Sequence, residues 1–205
     1  ISKSRSAAYL FLILNTVLWG FAGPIIKHSL GFTSPALFLF YRYIIASLIF
    51  FPIFLLHSTK PHHPQNFKRL IVLALLGTPL TLLPLFYGLK VTTSIEASLL
   101  VASSPIFTIL GGIIYLNEKV SKKEWRGILI AVLGTLILTL EPLFSNHGGL
   151  GSLSLKGNLL IVVSNIIWSA FLILSKKDHL DPIPLTFISF VISIPFFLAL
   201  ATFEQ

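Results

Sequence analysis

The sequence predicts an all-α membrane protein, a polytopic helical bundle, and three observations carry that prediction. Of its 205 residues, 55% are hydrophobic and only 11% charged, whereas a water-soluble domain carries roughly a quarter of charged residues to cover its surface. Mean hydropathy is +0.90. Seven separate runs reach the length of about 20 mostly apolar residues that a helix needs to cross the hydrocarbon core. None shows the period-2 alternation of a half-buried strand, and none has the alternating polar positions that face the lumen of a transmembrane barrel.

The first run, residues 7–26, follows a basic start (Lys3, Arg5). A cleaved signal peptide is disfavoured, because the run is longer than a usual h-region and Phe21-Ala22-Gly23 is a poor cleavage site. The second run, 35–56, opens on Pro35 and carries Arg42. The third and fourth, 70–89 and 94–116, are separated by a few polar residues, with Glu96 early in the fourth. The fifth, 127–144, holds Glu141, and the sixth and seventh, 157–175 and 183–203, carry no charge. Pro24, Pro52, Pro79, Pro84, Pro105 and Pro195 fall inside these runs. Membrane helices tolerate proline because neighbouring groups satisfy the carbonyls it frees.

The basic excess, fifteen Lys and Arg against seven Asp and Glu, invites a nucleic-acid reading. Its distribution argues otherwise, because the cations cluster between apolar runs. Lys3, Arg5, Lys60, Lys68, Arg69, Lys119, Lys122, Lys123, Arg126, Lys176 and Lys177 fall on one side of an alternating threading. Only Lys27, Lys90 and Lys156 fall on the other. Lys and Arg are retained in the cytoplasm, so the N-terminus is expected inside, in a bacterial inner membrane, with no nucleic acid as partner. Cysteine is absent, which excludes disulfides and Cys-ligated metal sites. Methionine is absent too, even at position 1, and the chain stops at the end of an apolar run. A fragment is therefore expected.

An internal repeat organises the spans. Asn15-Thr-Val-Leu-Trp19 leads to Lys27 eight residues after Trp19, and Asn165-Ile-Ile-Trp168 leads to Lys176 eight residues after Trp168. Each motif precedes a short polar linker and a Pro-led apolar run, Ser34-Pro35 and Asp181-Pro182. The 149-residue offset from Trp19 to Trp168 covers five spans, an odd number, so the second copy enters from the opposite face. Inverted repeats of this kind are a common transporter architecture.

Several motifs then make the chain resemble an EamA-type member of the drug/metabolite transporter superfamily. They are Trp19-Gly20 with Lys27, Phe40-Tyr41-Arg42-Tyr43, Ala97-Ser98-Leu99-Leu100, Ser104-Pro105-Ile106-Phe107-Thr108 and Leu116-Asn117-Glu118-Lys119-Val120-Ser121, followed by Trp125 and Gly127. The resemblance implies ten helices in two inverted five-helix halves around a mid-membrane substrate cavity. On that template residues 1–145 are the first repeat, 146–156 a Gly-rich linker, and 157–205 the start of a second repeat, the chain being truncated after its seventh span.

Candidate site residues follow from depth. Asn15 and Trp19, four apart on one helix face, lie mid-span, as do Asn165 and Trp168. Amide and indole pairs suit a small polar solute through hydrogen bonds and stacking or cation–π contact, and equally suit interhelical packing. Arg42 lies roughly 10 Å into its span, where a charge facing lipid costs several kcal/mol. The topology brings Glu96 to the same level, so the two are expected to pair or to form a gate at which a substrate carboxylate competes. Snorkelling of Arg42 to headgroups is the alternative. Tyr87, Thr78, Thr81, Ser103 and Ser104 add hydroxyls, although such groups more often bond their own i−4 carbonyl. His57, His62 and His63 lack a zinc spacing and read as a solvated loop. Glu118 with its neighbouring lysines reads as an anchor.

The leading function is a secondary carrier exporting a small organic metabolite (an amino acid, nucleobase or drug-like solute) by alternating access. A sugar-phosphate or nucleotide-sugar exchanger is the runner-up and should need several intramembrane cations. A non-transport seven-helix protein is the other class, and a retinal protein would need a lysine in the last span. No catalytic constellation lies at membrane depth, so no enzyme and no cofactor are expected. A proton is a candidate coupling ion through Glu96, and an oligomer stays open.

Overall fold

The computed structural model describes residues 2–58, 67–144, 150–178 and 180–204. Among them every regular element is a helix: α1 (Ser2–Ser29), α2 (Pro35–Ser58), α3 (Phe67–Gly77), α4 (Pro79–Val91), α5 (Ser94–Ala102), α6 (Ser104–Leu116), α7 (Lys122–Phe144), α8 (Leu150–Asp178) and α9 (Pro182–Phe203). They make seven helical stretches long and apolar enough to cross a membrane, with α3–α4 and α5–α6 each forming one span. The chain is an all-α polytopic membrane protein. Residues 146–149 of the expected linker, and Lys60, His62 and His63, lie outside the described residues. Residues 150–156, also expected as linker, are the first turns of α8.

Short polar sequences start these helices for local reasons. Thr93 and Glu96 close a capping box on α5, each satisfying a backbone donor that the first turn leaves open. Ser121 and Glu124 do the same for α7, with Ser121 N–H donating to Glu124 Oε2 at 2.7 Å. Asp181 caps α9 by accepting from Ile183 N–H at 3.0 Å, ahead of Pro182, whose missing N–H suits a first-turn position. Asn117 ends α6 in the left-handed region, φ 52°.

Spans three and four were expected as continuous helices. Each is broken instead, at Thr78 and at Ser103. The cause is Pro79 and Pro105: a proline inside a helix has no N–H for the carbonyl four residues earlier and crowds that carbonyl. Pro24, Pro52, Pro84, Pro142 and Pro195 stay within helices.

The most extensive packing joins α2 to α9 and α4 to α8, and α8 also touches α3, α5, α6 and α7. Alpha-four and α8 approach through glycine: a Cβ on Gly88 would lie 2.7 Å from the Gly157 carbonyl, and one on Gly157 would lie 2.9 Å from the Gly88 carbonyl. Small residues drive membrane helix pairs by allowing such close backbone approach. Helix α1 packs chiefly against α5.

Two apolar clusters divide the bundle by height. The larger gathers Leu30, Leu39, Phe86, Leu89, Ala97, Leu100, Ile161 and Phe197, mostly from helix ends near Lys90; the smaller gathers Leu70, Leu73, Ala74 and Leu185, near His57. The ends carry polar ties. At the Lys90 end, Lys27 Nζ donates to the carbonyls of Leu89, Lys90 and Thr92 at 2.6–2.9 Å, a cation on the C-terminus of α4 where the helix dipole favours it. At the opposite end, His57 Nε2 meets Asp181 Oδ2 at 2.6 Å, joining α2 to α9. His57 thus belongs to a helix-to-helix contact and not to a solvated loop.

Candidate functional site

A cavity of about 540 Å³ lies between the two clusters, where both broken spans meet α2, α8 and α9. Each break shapes a wall. At the first, Gly77 leaves room for the Phe171 ring, since a Cβ there would sit 2.7 Å from it. Thr81 Oγ1 turns back to the Leu76 carbonyl at 2.6 Å, and Ser164 Oγ from α8 donates to the Thr81 carbonyl at 2.8 Å. At the second break, the Leu100 carbonyl accepts from Ser103 Oγ at 2.6 Å and from Asn165 Nδ2 at 2.7 Å. Side chains thereby bond carbonyls beside each break, adding donors where the backbone ladder is interrupted, as hydrocarbon favours.

Helix α8 contributes a stripe: Ser164, Trp168, Phe171 and Ser175 line the cavity together with Asn165, at spacings of about one and two helical turns. Trp168 lies against Phe171, ring centroids 5.2 Å apart. From α9 come Leu185, Thr186, Ser189 and Phe190, and from α2 come Arg42 and Tyr43. Tyr43 is buried and packs edge-on against Phe190 at 5.3 Å. Trp19 is the contribution of α1 and remains 62% exposed.

Among the described residues Arg42 is the only charged side chain on the wall. Its guanidinium carbon stands 5.8 Å from the centroid of the Phe86 ring, a cation–π contact. The expected pair with Glu96 is not formed. Glu96 Oε2 instead accepts from Thr92 Oγ1 at 2.6 Å, Ser154 Oγ at 2.9 Å, and the Thr93 hydroxyl and N–H at 3.0 and 3.1 Å. A capping-box carboxylate is committed to its own helix start, and the Ser154 contact ties it further to α8.

Of the eight residues singled out from sequence, Trp19, Arg42, Ser104, Asn165 and Trp168 line the cavity, while Asn15, Tyr87 and Glu96 do not. Asn15 is exposed on α1 and Tyr87 half-buried outside the wall. Asn165 serves packing and cavity at once, because its amide is spent on Leu100 but the residue still borders the space. Sequence reasoning missed Tyr43, Ser164, Phe171, Thr186, Ser189 and Phe190. The α8 members were recoverable, since they share the helical face of Trp168; the α9 members had no such marker. Asn158, fully buried, was also missed: its Oδ1 lies 2.6 Å from Thr92 Oγ1, competing with Glu96 for that hydroxyl's one proton, and its Nδ2 reaches the Leu138 carbonyl at 3.3 Å.

Residues 6–140 match the EamA-like transporter family. An uncharacterized transporter of Methanothermobacter thermautotrophicus is 29% identical over 84% of this chain and 54% of its own length. The uncharacterized transporter YetK of Bacillus subtilis is 31% identical over 80% of this chain and 50% of its own. Mouse solute carrier family 35 member F6 is 29% identical over 58% and 32%. The chain spans about half the length of the first two of these relatives. No solved structure matches it. With most of its length matched and its helices built for lipid, the chain belongs to the EamA-like transporter family of the drug/metabolite transporter superfamily.

Proposed function

We propose that the chain forms part of a secondary carrier that exports a small organic metabolite by alternating access, with the cavity as its substrate site. The observation that carries this reading is Arg42, without a carboxylate partner among the described residues, on the wall of a cavity bounded by two broken spans. Broken helices at the meeting of repeats are where transporters place substrate, and an unpaired cation at membrane depth is retained for function.

The repeat supports the same reading. Spans two and seven are counterparts in it, and α2 and α9 are among the most extensively packed pairs. We take residues 1–145 as the first repeat and 157–205 as the start of the second. Helix α8 is enclosed by helices of the first repeat, so its counterpart α1 would be enclosed by the equivalent helices of the second.

With the N-terminus in the cytoplasm of a bacterial cell, the His57 end faces inward. Ser175, Leu180 and Pro182 carry the cavity towards that end, while the larger apolar cluster fills the other. This is the arrangement of a carrier closed outward and approached from inside. Alternating access would then require the α2, α4, α5 and α8 contacts of the outer cluster to part, and the His57–Asp181 tie is placed to open and close on the inner side.

The test is uptake and efflux by the full-length protein in vesicles, screened against amino acids, nucleobases and sugar phosphates. Arg42→Ala is expected to abolish transport, and Glu118→Ala, which removes only an exposed partner of Lys176, to spare most of it. The reverse ranking rejects the site.

A further inference from the structure

The charge balance of the cavity narrows what it can accept. Three carboxylates near the bundle's polar contacts are already engaged. Glu96 holds Thr92, Thr93 and Ser154. Asp181, between the wall residues Leu180 and Pro182, holds His57 and the Ile183 N–H. Glu118 holds Lys176 at 3.0 Å. Among the described residues Arg42 has only the Phe86 ring. A π face offsets part of a cation's desolvation but does not neutralise it.

The remaining wall is apolar and aromatic, with hydroxyls of which three have their protons spent, while Ser175 Oγ is buried without a partner among the described residues. Thr81, Ser164 and Ser189 each donate to a backbone carbonyl at 2.6–2.8 Å. An ammonium entering this space would lose its water and meet no free carboxylate among the described residues, at a cost of several kcal/mol. A phosphate dianion would find one cation where it needs more. A carboxylate matches the guanidinium fork in charge and in geometry.

We propose that the cavity selects a monoanionic organic solute, a carboxylate on an apolar body without an ammonium group. This rests on the carrier reading of the same cavity and narrows its substrate class, setting amino acids and sugar phosphates apart from the preferred cargo.

Calorimetry on the full-length protein in nanodiscs of zwitterionic lipid tests it with four probes of similar size: 3-phenylpropanoate, 3-phenylpropanamide, 2-phenylethylamine and phenylalanine. The carboxylate is expected to bind about tenfold or more tighter than the other three, one charge-assisted contact of at least 1.4 kcal/mol. Arg42→Gln should bring it to the level of the amide with the thermal midpoint unchanged, and Arg42→Lys should keep part of the preference, because a point charge replaces the fork. Three results overturn the proposal: equal or tighter binding of the amine or of phenylalanine, no binding of the carboxylate, or carboxylate binding untouched by Arg42→Gln, which would assign the guanidinium to a lipid headgroup phosphate. The carrier reading is judged separately. Vesicle flux of a cationic or zwitterionic solute that Arg42→Ala abolishes would keep the carrier and reject the anion.

Discussion

Helices α1 and α8 carry the same polar punctuation, an Asn and a Trp about one turn apart and a Lys eight residues after the Trp, and they live in different surroundings. None of the apolar window of α1 is buried, against 39% for α8. Asn15 is exposed whereas Asn165 is 5% exposed and bonded to Leu100. The lysines invert the pattern. Lys27, on the bare helix, is locked onto three carbonyls, while Lys176, on the enclosed helix, makes an exposed pair with Glu118. A repeated motif therefore fixes which residues sit at which depth. The neighbours fix what those residues do.

The largest expected contrast lies at the glycines. Gly157→Leu forces a side chain into the α4 backbone, where even a Cβ lies 2.8 Å from Val91 and 2.9 Å from the Gly88 carbonyl. It should cost about 3 kcal/mol or more, read as a lowered thermal midpoint in detergent. Gly20→Leu on α1 has nothing within 4 Å of its Cβ and, measured on residues 1–205 without the further helices proposed to enclose α1, should leave that midpoint unchanged. Equal losses would erase the distinction between the two helices.

Next comes the pair of lysines. Lys27→Gln strips a cation from the end of α4 and leaves three carbonyls with weaker donors, for about 2 kcal/mol. Lys176→Gln removes a contact between side chains 69% and 48% exposed, for about 0.5 kcal/mol or less. Chemical denaturation of the two variants in the same detergent checks the order, and a larger loss at Lys176 would contradict it.

The smallest contrast sharpens the rest. Asn165→Ala leaves the Leu100 carbonyl with only the donors of Ser103 and should cost about 1 kcal/mol, whereas Asn15→Ala should be silent in the same measurement. Trp19→Ala and Trp168→Ala should each weaken solute binding roughly fivefold, as loss of one ring contact implies; normal affinity in both variants would assign the indoles to packing.

Much of this was legible in the sequence because lipid imposes a simple rule. A helix that must satisfy its backbone internally and face hydrocarbon needs a long apolar run, so the seven spans stand out by length. Arg42 stood out by the cost of a charge at depth, and Trp168 by its repeat partner. The breaks at Thr78 and Ser103 were not separable from the other prolines, because Pro24, Pro52 and Pro195 sit in equally apolar runs without a comparable interruption. What distinguishes the two broken sites is side chains from elsewhere in the chain. Ser164 and Asn165 of α8 reach the carbonyls beside them.

The fate of Glu96 makes the same division. Sequence alone set its depth and its distance from Thr93, hence the capping box that occupies it. Pairing with Arg42 was a question of which faces of α2 and α5 turn towards each other, and helical period within one span says nothing about rotation against another. Sequence determined the solvent, the number of spans and the family. Only the tertiary structure decided which polar groups the bundle consumes in holding itself together and which single charge it leaves facing a cavity, because that choice depends on contacts between residues as much as 124 positions apart.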